Sequence, residues 1–337
     1  MIRLTAAPFL LSCASALALI ATACADSSET EARSEAGAAS EAVTQQADGS
    51  RYARDGIPSG PEAARQIIAN APEAAWRTVD PDNMLVIATQ HGNIWIELAP
   101  EFAPNHVARM RELAQERFYD MRVWHRVIDG FMAQGGGAFD NPASSTDKPN
   151  LQAEFLIQRQ PGEINITELQ DRVVNPRENS VSARAGFWNG FPASTIPAAQ
   201  AFIREDGRVE SWLLHCRGAA AMARTSDPNS AGSQFYITRG SPDHLEAIYT
   251  VWGRVRAGQE VVDAIRVGTM GETMGFRPDF INSMRVASEL PEAERLTIAV
   301  FDTDTPDFQL YLDALAEANN GRLPNVCDIE IPVRITE

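Results

Sequence analysis

Runs of lysine and arginine are absent from this chain of 337 residues, and its formal net charge is −16. Proteins that bind the phosphate backbone of DNA or RNA rely on clustered basic side chains. The sequence therefore argues against a nucleic-acid partner. Hydrophobic residues make up 44% of the chain, which is enough to bury a core. We expect one main domain with additions.

The apolar run near the N-terminus, residues 9–20, is too short to cross a bilayer. It follows the basic residue Arg3 and ends in small residues, with Ala21 and Ala23 placed as at a secretory cleavage site. This pattern predicts a signal peptide over residues 1–23. Cys24 also fits a bacterial lipoprotein signal, in which it would carry lipid. In both cases we expect export, to the periplasm or to a lipid anchor on an envelope membrane.

Cysteine is scarce, with four residues in the whole chain. Cys13 would leave with the signal peptide and Cys24 would carry lipid, so Cys216 and Cys327 remain. In an oxidising compartment these two could form one disulfide between the main domain and the C-terminal tail. Two separate buried thiols are the alternative, because sequence does not measure the distance between the two residues.

Composition and spacing then divide the N-terminal half. Residues 24–60 have almost no large apolar side chain, which predicts a disordered tether. Residues 61–83 predict a helical lead-in. Residues 84–88 and 94–98 predict a hairpin. Pro104 opens a helix whose apolar residues recur at steps of three and four.

Two stretches carry the functional signal. The first reads Trp124-His125-Arg126-Val127-Ile128-Asp129-Gly130-Phe131-Met132-Ala133-Gln134-Gly135-Gly136. If its backbone is extended, Arg126, Met132 and Gln134 lie on one face and offer a fixed cation, an apolar contact and an amide. The second runs from residue 217 to 237 and ends in Gly232-Ser233-Gln234-Phe235-Tyr236-Ile237.

Together these stretches resemble the two signature segments of the cyclophilins, the peptidyl-prolyl cis/trans isomerases. Residues 245–255 resemble the closing strand of that family. The resemblance implies a mainly β fold, a closed antiparallel β-barrel with flanking helices over residues 84–270. It also implies an insertion at about 156–216, and residues 271–337 predict an appended α+β extension. The aromatics of the insertion either form a satellite cluster on the barrel wall or extend the peptide groove as a lip.

The resemblance further implies the site. Arg126 stands at the position of the catalytic arginine. The implied substrate-binding positions are Phe131, Met132, Gln134, Ala223, Gln234, Tyr236, Leu245 and Tyr249. The chain departs from the family pattern at Tyr236 and Tyr249, and at His244, where many members have tryptophan. These changes affect the expected peptide preference and leave Arg126 in place.

The reaction needs no cofactor, and the histidines show no spacing for metal ligands, so we predict neither a cofactor nor a metal. His125 is expected to be a structural histidine, because strand parity places it opposite Arg126. The expected substrates are proline-containing polypeptides, unfolded or newly exported. The competing interpretation is a proline-peptide binding or scaffold protein of the cell envelope with weak or no catalysis. Retention of the arginine favours the enzyme.

Overall fold

The structure of the chain is a computed structural model that describes residues 61–174 and 181–336. The predicted signal peptide, the predicted tether and Cys24 lie outside the described residues. The α-helices of the described part are α1 (Pro61–Asn70), α2 (Pro104–Gln115), α3 (Gln259–Ala264) and α4 (Pro306–Ala318). No helix within these ranges has both the length and the apolar composition needed to cross a membrane.

Strands dominate the rest of the described chain. They are β1 (Trp76–Thr78), β2 (Met84–Thr89), β3 (Gly92–Leu98), β4 (Arg122–Val123), β5 (Arg126–Ile128), β6 (Met132–Gly135), β7 (Ile157–Arg159), β8 (Thr167–Val174), β9 (Val181–Trp188), β10 (Phe191–Thr195), β11 (Val209–Leu213), β12 (Ala219–Met222), β13 (Phe235–Thr238), β14 (Val251–Ala257), β15 (Gly268–Thr269), β16 (Phe280–Ile281), β17 (Ser283–Val286), β18 (Thr297–Phe301) and β19 (Val333–Thr336).

The main body is a nine-stranded antiparallel sheet in the order β15-β5-β6-β13-β12-β14-β3-β2-β17. The expectation of a closed barrel is wrong in this respect, because the sheet curls into a half-barrel whose ends, β15 and β17, are not hydrogen-bonded to each other. The segments that precede β5 and β17 pair separately instead, as the two-stranded sheet β4–β16. In this small sheet the backbone groups of β4 and β16, beside the gap, are hydrogen-bonded to each other.

Local sequence explains the elements that carry the core. Helix α2 begins at Pro104, whose missing N–H costs nothing in the first turn. It buries Val107, Met110 and Leu113, which lie on one face at helical spacing. These side chains meet the inner face of the sheet, where the fully buried rings include Trp124.

Three separated segments form a second body, which we call the accessory unit: residues 61–80, 157–213 and 297–336. β1 pairs with β18, and β18 pairs with β19. Helix α1 packs on α4. The insertion forms its own five-stranded sheet, β7-β11-β10-β9-β8. That sheet joins the tail through the rings of Phe187 and Phe308, whose centroids are 5.7 Å apart.

The expected boundaries change accordingly. β17 pairs with β2 inside the main sheet, so the tail leaves the main body after residue 286 and not after residue 270. The predicted lead-in is helical only to Asn70, and Trp76 opens a strand that belongs with the tail. The alternation of isoleucine and valine at residues 329–335 predicts one strand. In the structure β19 begins only at Val333, and a 3₁₀ turn over residues 326–328 precedes it.

The sulfurs of Cys216 and Cys327 are bonded to each other, and the two Cα atoms are 5.0 Å apart. Of the two alternatives left open by the sequence, the structure contains the disulfide. Cys216 lies next to β12 of the main sheet, and Cys327 lies in the tail. The bond therefore ties the accessory unit covalently to the main body.

Removing this bond should destabilise the protein, because its partners are 111 residues apart in sequence and a crosslink over a long loop restricts the unfolded chain most. We expect a double Cys216→Ala, Cys327→Ala variant to lose about 2–5 kcal/mol in free energy of unfolding. Urea unfolding of the oxidised protein and the variant measures the loss. Equal unfolding midpoints, with peptide mapping that shows both native cysteines alkylated without reductant, would contradict the prediction.

Candidate functional site

A small cavity of about 170 Å³ opens between the β5–β6 hairpin and the neighbouring strand β13. The residues that line it come from both signature stretches and from the segment before β14. They are Arg126, Phe131, Met132, Gln134, Ala223, Arg224, Tyr236, Leu245 and Tyr249. All of them except Arg224 were named from the sequence. The structure therefore brings together residues up to 123 positions apart in a single depression (249 − 126).

Antiparallel pairing places the polar members of the site in a row. Arg126 on β5 is opposite Gln134 on β6, and Gln134 is opposite Tyr236 on β13. Residues directly opposite each other in antiparallel strands point to the same face of the sheet. The sequence predicts that Arg126 and Gln134 share a face if the backbone is extended, and it also contains an Asp-Gly turn signal. The structure has a hairpin with its turn at Asp129 and Gly130, and the hairpin gives the same grouping by a different route.

The Arg126 guanidinium is half-buried at the cavity. Its Nη1 lies 3.5 Å from the Gln134 Oε1, which accepts a hydrogen bond, and 3.9 Å from the Met132 sulfur. Among the described residues no carboxylate lies within ion-pair distance of Arg126. A guanidinium carries five N–H donors, so most of its donors remain available to a molecule in the cavity.

Gln134 is itself held in place from behind. Its Nε2 donates to the Gln234 Oε1 at 3.2 Å. The Gln234 amide then donates to the carbonyl oxygens of Pro142 at 3.1 Å and Ser144 at 2.8 Å. Gln234 does not line the cavity, and its amide is occupied by these bonds. We therefore assign it to support of Gln134 rather than to direct contact with a ligand.

Apolar side chains form the floor and part of the walls. Met132, Tyr236 and Leu245 are buried, with exposed fractions of 2%, 5% and 9%. They belong to one cluster with Trp188 and Leu213 of the accessory unit. Phe131 is partly exposed at the mouth, and its ring lies 5.7 Å from that of His244. The insertion thus packs beneath the cavity, which matches a satellite cluster on the sheet rather than a lip.

His215, at the end of the insertion, contacts the floor of the cavity directly. Its Nε2 lies 3.0 Å from the Tyr236 hydroxyl, while its Nδ1 is buried with no hydrogen-bond partner among the residues that the structure describes. Burial, with a smaller contribution from His244, lowers the pKa of His215 to about 3. The ring is therefore neutral at pH 7. A buried lone pair without a partner costs less than a buried N–H without one, so we place the proton on Nε2, where it donates to Tyr236.

Arg224 is the lining residue that sequence reasoning missed. Its Nε and Nη2 donate to the Ile248 carbonyl at 3.0 and 2.8 Å. Its guanidinium carbon lies 4.3 Å from the Tyr249 ring centroid and 5.4 Å from that of Phe155. The available signal was its position directly after Ala223, at the end of β12. Arg224 fixes Tyr249 as one wall and adds a second cation to the site.

His125 does not line the cavity. It is buried, and burial lowers its pKa. Within residues 61–174 and 181–336 no group of three or more His, Cys, Asp or Glu side chains is arranged to hold a metal ion.

The neutral buried His215 predicts a specific loss of stability in acid. In the unfolded chain His215 is protonated below its ordinary pKa of 6.5. In the folded protein it stays neutral until the pH falls to about 3. The free energy of unfolding should therefore fall as the pH falls, by about 1.4 kcal/mol per pH unit from this group. Between pH 7 and pH 5 the free energy of unfolding should fall by about 2 kcal/mol more in the natural protein than in the His215→Gln variant.

Urea unfolding at both pH values measures this difference, and the exposed His244→Gln serves as the control. Identical pH dependence in the natural protein and His215→Gln would show that His215 is not buried as a neutral ring.

Comparison with known proteins places this site in a family. Residues 84–286 match the family described as cyclophilin type peptidyl-prolyl cis-trans isomerase/CLD. A probable peptidyl-prolyl cis-trans isomerase of Brucella suis is 31% identical over 204 residues, which are 60% of this chain and 81% of the relative. Peptidyl-prolyl cis-trans isomerase B of Escherichia coli is 28% identical over 191 residues, 54% of this chain and 84% of the relative.

A solved structure resembles the chain beyond the matched range. The crystal structure of the cyclophilin AquaCyp293 from Hirschia baltica is 36% identical, covers 83% of this chain and 98% of its own, and superposes with a TM-score of 0.65. Because the family match covers more than half of the chain and contains all residues that line the small cavity, the chain belongs to the cyclophilin-type peptidyl-prolyl cis-trans isomerases.

Proposed function

We propose that this protein accelerates the cis/trans isomerisation of X–Pro bonds in exported polypeptides, with Arg126 as the catalytic residue. One observation carries the proposal: a guanidinium without a carboxylate partner among the described residues stands over a small cavity with apolar walls. Membership of a family of peptidyl-prolyl isomerases supports the reaction class.

Isomerisation of an X–Pro bond requires few functional groups beyond this arrangement. Rotation about a peptide C–N bond has a barrier of about 18–20 kcal/mol, whereas cis and trans X–Pro bonds differ by only about 0.5–1 kcal/mol. No bond is broken, so neither a nucleophile nor a redox group is required. A catalyst has to hold the proline ring and stabilise the twisted amide more strongly than the planar one.

Arg126 is suited to the second task. In the twisted state the prolyl nitrogen becomes pyramidal and regains a lone pair that amide resonance had delocalised. A fixed cationic donor aimed at that nitrogen stabilises the twisted state selectively. Gln134 accepts from Nη1 and so limits the rotation of the guanidinium, and Gln234 fixes Gln134 in turn. The donor is therefore positioned before the substrate arrives.

The walls serve the first task. Phe131, Met132 and Leu245 would contact the faces and edge of the pyrrolidine ring, since they are the apolar side chains around the cavity. Ala223 and Tyr249 line the side where the flanking peptide would lie. A small residue at position 223 leaves room for substrate backbone, and the Tyr249 hydroxyl adds a polar tip to an apolar body.

We propose further that the protein works outside the cytoplasm. The signal-like segment at residues 1–23 supports this, and so does the Cys216–Cys327 disulfide, because structural disulfides persist in oxidising compartments. Its substrates would then be unfolded or newly exported chains. A lipid on Cys24 would hold the protein at an envelope membrane.

Substitution of Arg126 should separate catalysis from binding. In a protease-coupled assay on a short X–Pro peptide we expect Arg126→Ala to lower kcat/KM about a hundredfold or more. Arg126→Lys should recover only part of this loss, because it keeps the charge but not the planar fork. Binding of the same peptide, measured by fluorescence titration, should change far less than turnover.

The matched control is Arg322→Ala, which removes an exposed arginine of the tail. Near-ultraviolet circular dichroism checks that each variant is folded. Unchanged turnover in a folded Arg126→Ala variant would reject the mechanism. Peptide binding without turnover in the natural protein would favour the binding or scaffold protein instead.

The lipid proposal has its own measurement. Intact mass spectrometry of protein extracted from membranes should show a chain that begins at Cys24 and carries an added diacylglyceryl mass. Cys24→Ser should abolish both the added mass and the membrane association. A chain cut before residue 24 without added mass would show instead a secretory signal and a soluble exported protein.

A further inference from the structure

A second cavity, of about 620 Å³, lies between strand β14 and the tail segment that follows the disulfide. It shares no lining residue with the small cavity. Its walls include Arg217, Arg254, Arg256, Cys327 and Glu330. Its volume is within the range of about 300–1,000 Å³ that is common for small-molecule sites.

Arg254 is the unusual residue of this cavity. Its Nη1 is buried and has no hydrogen-bond partner in the described part of the chain. The other two arginines on the wall are paired, Arg217 with the Asp263 carboxylate and Arg256 with that of Glu97. Burial, together with the nearby Arg256 cation, lowers the pKa of Arg254 to about 9, which still leaves it charged at neutral pH. The Arg254 side chain is partly buried, and a charged donor that is out of water and unpaired is costly, so a ligand that pairs with this guanidinium would be stabilised there.

The surrounding charges explain why Arg254 has no partner among residues 61–174 and 181–336. Arg254 is directly opposite Glu97 in the pairing of β14 with β3. Both oxygens of that carboxylate are already occupied: Oε1 by Arg77 at 2.8 Å, and Oε2 by Arg256 at 2.7 Å. One buried carboxylate thus faces two arginines, and Arg254 adds a third cation. In this group three arginines stand beside one carboxylate, so the group carries a surplus of positive charge.

The acidic residues at this cavity, Glu260, Asp328 and Glu330, are exposed at its rim. None of them forms an ion pair with Arg254, although the charge of Glu330 acts on it from a distance. Water screens rim charges more effectively than buried ones. A ligand with one anionic end directed inward fits this distribution, whereas a polyanion would also meet the rim carboxylates.

We propose that this cavity binds a small molecule through a single oxyanion group, a carboxylate or a phosphate, with Arg254 as the residue that recognises it. A planar guanidinium can donate two parallel hydrogen bonds to such a group. The ligand would bond to the part of the Arg254 side chain that lines the cavity and would offset the surplus charge beside Glu97. Because the cavity contains residues of both β14 and the tail, binding there would also strengthen the attachment of the accessory unit.

Two probes test the proposal with the full-length protein, inorganic phosphate and benzoate, each compared with chloride at equal ionic strength. For the natural protein we expect one-to-one binding of at least one probe by isothermal titration calorimetry, and a rise in Tm. Arg254→Met keeps an apolar side chain of similar length but removes the charge. It should weaken binding by about tenfold or more and abolish the rise in Tm. Binding of phosphate alone or of benzoate alone identifies which oxyanion the site takes.

Arg322→Met is the control, because it removes one exposed positive charge of the tail and should respond to the probes as the natural protein does. Without a probe, Arg254→Met should be at least as stable as the natural protein, since it removes a buried charge without a partner. Three results would each overturn the proposal: no binding of either probe above chloride, equal binding by the natural protein and Arg254→Met, or a large loss of stability in Arg254→Met without a probe. All three measurements are independent of isomerase activity.

Discussion

The pairing register of three strands fixes the site. Because Arg126, Gln134 and Tyr236 are directly opposite one another on β5, β6 and β13, their side chains emerge in one row on one face. A shift of one residue in any of these strands would turn its side chains to the opposite face. The cation, the amide that orients it and the aromatic wall therefore depend on backbone hydrogen bonds more than on contacts among themselves.

The accessory unit supports that row from below. Trp188 and Leu213 pack with Met132, Tyr236 and Leu245 in one buried cluster. Directly after β11, His215 bonds to the Tyr236 hydroxyl and Cys216 anchors the tail. Interiors of this kind are close-packed, so displacement of one layer is felt in the next. The insertion thus shapes the pocket without lining it.

Sequence reasoning grouped most residues that line the small cavity because they are concentrated in short stretches with strong local patterns. Arg126, Met132 and Gln134 share a face whether residues 126–134 form one strand or a hairpin, so the grouping does not depend on where the chain turns. Helix α2 was predictable from Pro104 and the apolar spacing that follows it. These features are local, and local propensity decided them.

The remaining features depend on contacts between distant segments. The pairing of β1 with β18 and of β2 with β17 brings together residues about 200 positions apart, and neither alternation nor capping signals which strand is the partner. Arg224 was not singled out from the sequence, because the carbonyl of Ile248 that holds it is 24 residues further along the chain. The open half-barrel also depends on contacts between distant segments, because β4 and β16 pair with each other in a separate sheet.

Glu97 has a consequence for where this protein can be divided. Its carboxylate holds Arg77 from the N-terminal segment and Arg256 from β14, and both arginines donate to the Asn189 carbonyl in the insertion. One acidic side chain thereby joins three stretches of chain that enter the fold separately. A fragment trimmed to the family range of residues 84–286 would lack Arg77, β1, β18 and one half of the disulfide. The range that matches the family and the set of segments joined by these contacts therefore have different limits in this protein.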